Sequence, residues 1–291
     1  MKLLFDTHQL IISSVIMESQ KYKGPYGKDG IEIKPDLVRH MVLSSIRKYK
    51  KMFNPKFRKD VILCFDGKNY WRKKKFPFYK AGRKKDRDQS ILDWKTVYEC
   101  INTIKNEFQE SMPYTIMEYE GAEADDIIAT VCRIYGGTNE EITIISSDKD
   151  LLQLQKWSNI HQYSPWHQKH LVTDNPNKTL IEHVIFGDHS DGIPNCLSPD
   201  DCLALGNRQS AVSKKRLNTI MTGLSSKLPS WADRGFARNR QLIDLDYIPE
   251  EISSGIRKKF LNEYEKEKNV SIYRYFQKNQ LVNLMQGIAE F

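Results

Sequence analysis

Cysteine is scarce in this chain and never paired. Its five thiols (Cys64, Cys100, Cys132, Cys196 and Cys202) form no CxxC. An odd, scattered set excludes a disulfide framework, argues against structural zinc and fits a reducing cytoplasm. No apolar run approaches the roughly 20 residues that span a bilayer. The opening Met1-Lys2-Leu3-Leu4-Phe5-Asp6 lacks the length and cleavage site of a signal peptide. There is no internal repeat, no low-complexity tract and nothing that demands more than a monomer. One further scarcity is local. Residues 68–87 hold a single acid, Asp86, among ten bases: Lys68, Arg72, Lys73, Lys74, Lys75, Lys80, Arg83, Lys84, Lys85 and Arg87. The local charge of +9 exceeds the +8 of the whole 291-residue chain, so the remainder is close to neutral.

Acid is gathered elsewhere. The stretch Gly121-Ala122-Glu123-Ala124-Asp125-Asp126 opens an apolar helix. A short strand, Ile142 to Ile145, then runs straight into Ser146-Ser147-Asp148-Lys149-Asp150. Two earlier apolar runs also end in acid: Leu3-Leu4-Phe5 at Asp6, and Val61 to Phe65 at Asp66. Continuous apolar runs of this length suit strands buried on both faces of a parallel sheet. Parallel strands end at one edge, where ligands bind. Asp6, Asp66 and Asp148 are therefore expected to converge. The plainer reading, that each Asp caps the next helix or begins a turn, would suffice for one such residue and is weaker for three.

The elements are expected in the order strand 2–5, loop 20–33, helix from Pro35, strand 61–65, basic segment, helix 91–110, strand 114–118, acid-opened helix and strand 142–145. This alternation predicts an α/β fold with a mostly parallel central sheet covered by helices. A strand pair follows at 161–165 and 169–172, then a helix at 177–187. Beyond 188 the chain reads as helices at 209–224, 236–245, 250–266 and 271–289. Two regions are expected: a core over 1–187, with the basic segment at about 68–90, and a mainly helical region over 188–291.

With Gly187-Asp188-His189-Ser190-Asp191, the acidic candidates are Asp6, Asp66, Glu123, Asp125, Asp126, Asp148, Asp150, Asp188 and Asp191. Clustered carboxylates raise one another's pKa and do not all stay ionised without cations. Hard oxygen donors select Mg²⁺ or Mn²⁺. Two such ions suit in-line attack on a phosphodiester, one activating water and the other stabilising the leaving oxygen. Glu123 and Asp125, two residues apart, face one way only if Glu123 lies just outside the helix. Basic residues interleaved with Tyr70, Trp71, Phe76, Phe78 and Tyr79 favour a single-strand channel over a merely solvated surface. His8 and His189 are read as surface or supporting groups. Trp94, Tyr98 and Phe108 are read as core. The C-terminal Leu281, Leu284, Met285, Ile288 and Phe291 fall at helical spacing and read as a docked helix; the alternative is a tether to a sliding clamp or single-strand-binding protein.

These motifs resemble the flap endonuclease, or 5′-nuclease, superfamily, and most of all its phage ribonuclease H branch. The pieces that carry the likeness are Leu4-Phe5-Asp6, Phe65-Asp66, Phe78-Tyr79-Lys80-Ala81-Gly82-Arg83, Gly121 to Asp126, Ser147 to Asp150 and Gly187 to Asp191. They occur in the family's order. The tail Gln241 to Pro249 also looks like the phage branch. The resemblance implies a PIN-like, divalent-metal nuclease that cuts from the 5′ end of flap or nicked DNA and RNA–DNA hybrids. It implies Asp6, Asp66, Glu123, Asp125, Asp126 and Asp148 about one metal, and Asp150, Asp188 and Asp191 about a second. Asp125, Lys80 and Arg83 would be catalytic, the two bases reaching the scissile phosphate from a helical arch at about 68–90 over the site, and the helical region over 188–291 would bind duplex. Arg72, Lys84 and Lys85 would bind substrate, and Tyr79 would stack on a base. Most members then carry a glycine-rich GxGxKT-like turn for duplex and a monovalent cation. Here Asn195 to Asp201 stands instead, so that turn is degenerate or absent, and Lys214, Lys215 and Arg216 are expected to grip the duplex. Gly192 stands where an Asn is usual. The competing readings are a catalytically silent branched-DNA-binding protein on the same fold and a PIN-type ribonuclease.

Overall fold

The structure is a computed structural model that describes residues 1–20, 33–90, 92–223 and 229–291. Most of the loop expected at 20–33 lies outside the described residues.

Strand β1 (Lys2–Asp6) leads directly into α1 (Thr7–Gln20), followed by α2 (Pro35–Phe53) and β2 (Val61–Phe65). The basic segment contains α3 (Trp71–Lys75) and α4 (Gly82–Asp88). After it come α5 (Trp94–Ser111), β3 (Thr115–Glu118), α6 (Ala124–Tyr135) and β4 (Ile142–Ile145). A 3-10 stretch, Lys149–Lys156, precedes β5 (Ile160–Ser164) and β6 (Lys169–Leu171). Helices α7 (Pro176–Phe186), α8 (Lys214–Gly223), α9 (Ser230–Ile243), α10 (Glu250–Glu265), α11 (Ile272–Lys278) and α12 (Val282–Met285) complete the chain.

The sheet order is β3-β2-β1-β4-β5-β6. All neighbours are parallel except β6, which returns antiparallel to β5 at the edge. Strand order reverses between β1 and β4, so the crevice of this doubly wound sheet opens at the carboxyl ends of those two strands.

Alternation along the strands feeds two apolar layers. Leu3, Phe5, Val61, Leu63 and Phe65 enter a core with α1, α2 and α5; Leu4, Ile62, Cys64, Ile142 and Ile144 enter one with α6 and α10. Helices α10, α11 and α12 share these layers. Phe260 of α10 is buried in the second, and Phe276 and Phe291 in the first, their rings meeting edge to face at 4.9 Å. Leu281, Leu284 and Phe291 are buried, so the C-terminal residues dock as expected and are not presented to a partner. A third cluster joins Phe76 and Tyr79 to Ile185, Ile193, Ile220 and Phe236.

Two expectations need correction. Helix α1 was not anticipated: Leu10, Ile11 and Val15 are buried, but Ile16 and Met17 are exposed, which blurs the period. The single helix expected at 271–289 is broken. Gln280 adopts φ +53° and the Leu281 N–H donates to the Phe276 carbonyl at 2.9 Å, a left-handed stop that turns Leu281 into the core. The basic segment is helical in α3 and α4; its Trp71, Arg72, Phe76 and Tyr79 are buried, and its outward-facing residues are Lys73, Lys74, Lys75 and most of α4.

Candidate active site

Each strand-terminal acid does two jobs. Asp6 ends β1, and its Oδ1 accepts the Gln9 N–H of α1 at 3.0 Å. Asp66 Oδ1 accepts the Ala124 N–H at the start of α6 at 2.8 Å. Asp148 Oδ1 accepts the Asp150 N–H at 2.9 Å. The capping reading is therefore correct for one oxygen of each. It does not exclude the convergent reading, because a carboxylate has two oxygens and all three groups lie at one sheet edge. Glu123 has extended backbone (φ −95°, ψ 166°) and precedes the helix, as its pairing with Asp125 required.

The convergence shows in the electrostatics. Burial, then the charge of Asp66, raises the Asp6 pKa to about 6. Burial, then Asp150 and Asp6, raises Asp148 to about 7. Asp125 is pushed well above the usual carboxylate range by burial and by Asp148, Asp6, Glu123 and Asp150. Such groups repel one another until a cation arrives. An all-oxygen set of this kind fits a small hard divalent ion.

Other residues depart from expectation. Asp126 turns away from this group. Its Oδ2 accepts from Trp71 Nε1 at 3.1 Å, from Arg72 at 3.0 Å and from the Glu123 N–H at 2.9 Å. Arg72, expected at substrate, is buried and spans Asp126, Glu123 Oε2 at 2.9 Å and the Leu242 carbonyl at 2.8 Å. Tyr79, expected to stack on a base, is buried, and its hydroxyl contacts Glu123 at 2.9 Å and Asp191 at 2.8 Å. Glu123 thus faces Arg72, Tyr79 and Lys80, and burial is outweighed by Lys80 and Arg72, which hold its pKa low. Asp191, expected beside Asp150 and Asp188, has its N–H on Asp188 Oδ1 at 3.1 Å, while its carboxylate is bonded by Arg83 at 2.7 Å and lies 3.6 Å from Lys80. Lys84, Lys85, Lys214, Lys215 and Arg216 are exposed.

Backbone geometry joins the basic segment to the acidic loop. Lys80 adopts a left-handed φ of +55°, and its N–H donates to the Asp191 carbonyl at 2.7 Å. Gly192 has φ +72°, and a Cβ there would lie 2.8 Å from the Phe78 carbonyl oxygen. An Asn tolerates that φ, but not that approach.

Two residues were missed. His183 of α7 lies between Asp150 (Nδ1 to Oδ1, 3.0 Å) and Asp188 (Nε2 to Oδ2, 3.4 Å). Among the described residues, these three form the group of His, Cys, Asp or Glu donors whose ligand atoms all lie within 4.8 Å of one another; the Asp6–Asp148 group is more open. Trp166 sits in the turn after β5, 76% exposed, with its backbone N–H donating to Ser147 Oγ at 3.2 Å. Ser147 adjoins Asp148, so this turn lies at the same sheet edge. Spacing eight residues before Asp191 and an unremarkable hairpin gave neither away.

Residues 3–182 match the family described as 5′-3′ exonuclease, N-terminal resolvase-like domain. The chain belongs to this 5′-3′ exonuclease family. Residues 175–291 match the T4 RNase H C-terminal family. Ribonuclease H of Enterobacteria phage T4 is 28% identical over 298 residues, covering 99% of this chain and 95% of that one. Flap endonuclease Xni of Shewanella sp. (strain MR-4) is 26% identical over 198 residues, 64% of this chain and 70% of the relative. Bacteriophage T5 5′-exonuclease, solved with bound zinc, shares the fold with a TM-score of 0.66 at 18% identity, covering 91% of this chain and 99% of that one. Like its family, the chain is a metal-dependent, structure-specific 5′-nuclease.

Linkage gives this site a measurable signature. Asp6 and Asp148 bind a proton more tightly in the fold (about 6 and about 7) than in the unfolded chain, where carboxyls titrate near 3.9. Their contribution to stability is therefore full below about pH 4 and is lost as pH rises through about 7. His183 acts in the same direction. Burial opposes its charge, but Asp150 and Asp188 raise it to about 10, so its contribution is full below the unfolded value near 6.5 and is lost as pH approaches 10. In EDTA, Tm is expected to drop between pH 5 and 8 by about 8 °C, for a loss on the order of 3 kcal/mol. Saturating Mn²⁺ should flatten the slope. Equal slopes with and without Mn²⁺, measured by calorimetry, would refute the account.

Proposed function

We propose that this nuclease hydrolyses phosphodiesters at the 5′ ends of RNA–DNA hybrids, nicked duplex and flap DNA, the reaction of primer removal in replication, in the cytoplasm, that of a host cell if the chain is phage-encoded. The observation that carries it is the meeting of Asp6, Asp125 and Asp148 at the β1/β4 crevice, beside Lys80 and Arg83. A protein that only bound a polyanion would gain nothing from that negative cluster. Asp6, Asp66, Asp125 and Asp148 are the residues that would hold one Mg²⁺ or Mn²⁺; Asp150 and Asp188, with Asp191 nearby, would hold a second. When bound, the ions supply charge neutralisation at the phosphate and a more acidic water.

The chain's own residues supply the rest. Arg72 and Tyr79 orient Glu123 and so act as positioning residues. Lys80 and Arg83, held on Glu123 and Asp191 before substrate arrives, are placed to take up the scissile phosphate. Lys84 and Lys85 on α4 face solvent, where they would meet the single strand. Lys214, Lys215 and Arg216 at the start of α8 would meet duplex phosphates. A sliding clamp or single-strand-binding protein would have to use a surface other than the buried C-terminal residues.

A labelled flap, a nicked duplex and an RNA–DNA hybrid, each incubated with Mg²⁺ and with EDTA, test the reading. Metal-dependent release of short 5′ products from these substrates supports it. Tight binding without cleavage indicates the silent binder, and cleavage of RNA alone without regard to 5′ ends indicates the PIN-type ribonuclease. Lys80→Ala and Arg83→Ala should each lower turnover about a hundredfold and change duplex affinity little. Equal losses in both quantities would remove these residues from the scissile phosphate.

Trp166 takes the stacking role that the buried Tyr79 does not. Lys149 and Lys169 lie exposed on the same edge, and an aromatic platform among bases suits nucleobase stacking. Trp166→Ala should weaken substrate binding about tenfold, for roughly 1–3 kcal/mol per stacked base. Indole fluorescence should be quenched by DNA in the unmodified chain and not in Trp166→Phe. Persistent quenching in that variant would exclude the role.

A further inference from the structure

We infer that His183 is a nitrogen donor to the second metal position, and that it biases that position toward transition ions such as Mn²⁺ over Mg²⁺. The inference rests on the reading of the acidic cluster as the nuclease's metal centre and goes beyond it by adding a ligand of different chemistry. Three separate features of the fold bring the group together. The 3-10 stretch after β4 carries Asp150 and packs against α7. Helix α7 carries His183 one turn before its end. Gly187 then closes the helix, with its N–H on the His183 carbonyl at 2.8 Å and φ +69°. A Cβ at Gly187 would lie 2.4 Å from the Ile193 carbonyl, so the chain doubles back there and returns Asp188 alongside the imidazole.

The donor geometry is that of a coordination shell. Donors held about 2.1 Å from a shared ion lie roughly 3 to 4 Å from one another, and the three ligand atoms here fall within 4.8 Å. Asp188 is preorganised for it: Oδ1 is taken by the Ser190 N–H at 2.7 Å, the Ser190 hydroxyl at 2.7 Å and the Asp191 N–H at 3.1 Å, which leaves Oδ2 aimed at His183. All three side chains are about a fifth exposed (23%, 20% and 22% for His183, Asp150 and Asp188), so an ion can enter. In the structure the imidazole stands where a cation would, bridging the two acids. Binding an ion requires one ring nitrogen to release its proton to solvent and exchange its carboxylate hydrogen bond for the metal, while the other keeps its N–H on its carboxylate, the usual way a ligating histidine is oriented. Imidazole suits transition ions, whereas Mg²⁺ favours carboxylate and water.

Electron spin-echo spectroscopy of Mn²⁺ bound to the unmodified full chain is the test. It is expected to show coupling to one imidazole nitrogen. In His183→Gln that coupling should vanish. Titration calorimetry should show the weaker Mn²⁺ site losing about tenfold in affinity, with Mg²⁺ affinity changed less than about twofold. Absence of nitrogen coupling in the unmodified chain, its persistence in His183→Gln, or equal losses for Mn²⁺ and Mg²⁺ would overturn the inference; the first of these needs no variant to fold. Cleavage of a labelled flap by the unmodified chain in Mg²⁺ reports separately on the nuclease reading, so the two can fail independently.

Discussion

Asp125→Asn is expected to lower cleavage roughly a thousandfold, about 4 kcal/mol in the barrier, and at the same time to make the metal-free protein more stable. Both signs come from one environment. Asp125 faces Asp148, Asp6, Glu123 and Asp150, and no basic group is among the main influences on it. An amide of the same shape removes one of the like charges, so the repulsion among the remaining acids falls. It also removes an anionic oxygen from the place proposed for the divalent ion. Flap cleavage under single-turnover conditions and calorimetric Tm in EDTA measure the two effects. A variant that lost activity only by unfolding would show a lower Tm, and that result would sink the assignment.

Asp126→Asn, one residue further on, should behave in the opposite way. Asp126 is fully buried, and its carboxylate holds Arg72, the Trp71 indole and the Glu123 N–H together. Neutralising it leaves the Arg72 guanidinium short of a partner in a dry site and presents amide hydrogens to other donors. Breaking one side of a buried pair costs about 3–5 kcal/mol, or about 10 °C in Tm for a chain of this size. Calorimetry with and without Mn²⁺ should show the same loss in both, because Asp126 is not aimed at the metal position. Wild-type stability with a selective loss of Mn²⁺ binding would instead return Asp126 to the ligand set.

These neighbours show where sequence reasoning stops. Helical residues one apart point about 100° away from each other, so a run of two aspartates in the first turn cannot serve one purpose. Which of them meets the ion depends on what lies on each side. Arg72 and Trp71 lie more than fifty positions earlier and flank Asp126; Asp6 and Asp148 come from two other strands and flank Asp125. The same holds for Tyr79. Its place among bases suggested stacking on nucleic acid, but apolar contacts from α7 and α9 bury the ring and leave the hydroxyl to Glu123 and Asp191.

What could be read from the residue order alone was the strand-and-helix alternation, the acid at the end of three apolar runs, and the separation of basic from acidic segments. These are local features: a buried parallel strand needs a continuous apolar run, and its carboxyl end is where a polar group must appear. The different surroundings of Asp125 and Asp126, the burial of Arg72 and Tyr79, the exposure of Trp166 and the position of His183 between Asp150 and Asp188 were settled by packing. Each depends on side chains from distant parts of the chain competing for the same few ångströms, and no local pattern records who wins that competition.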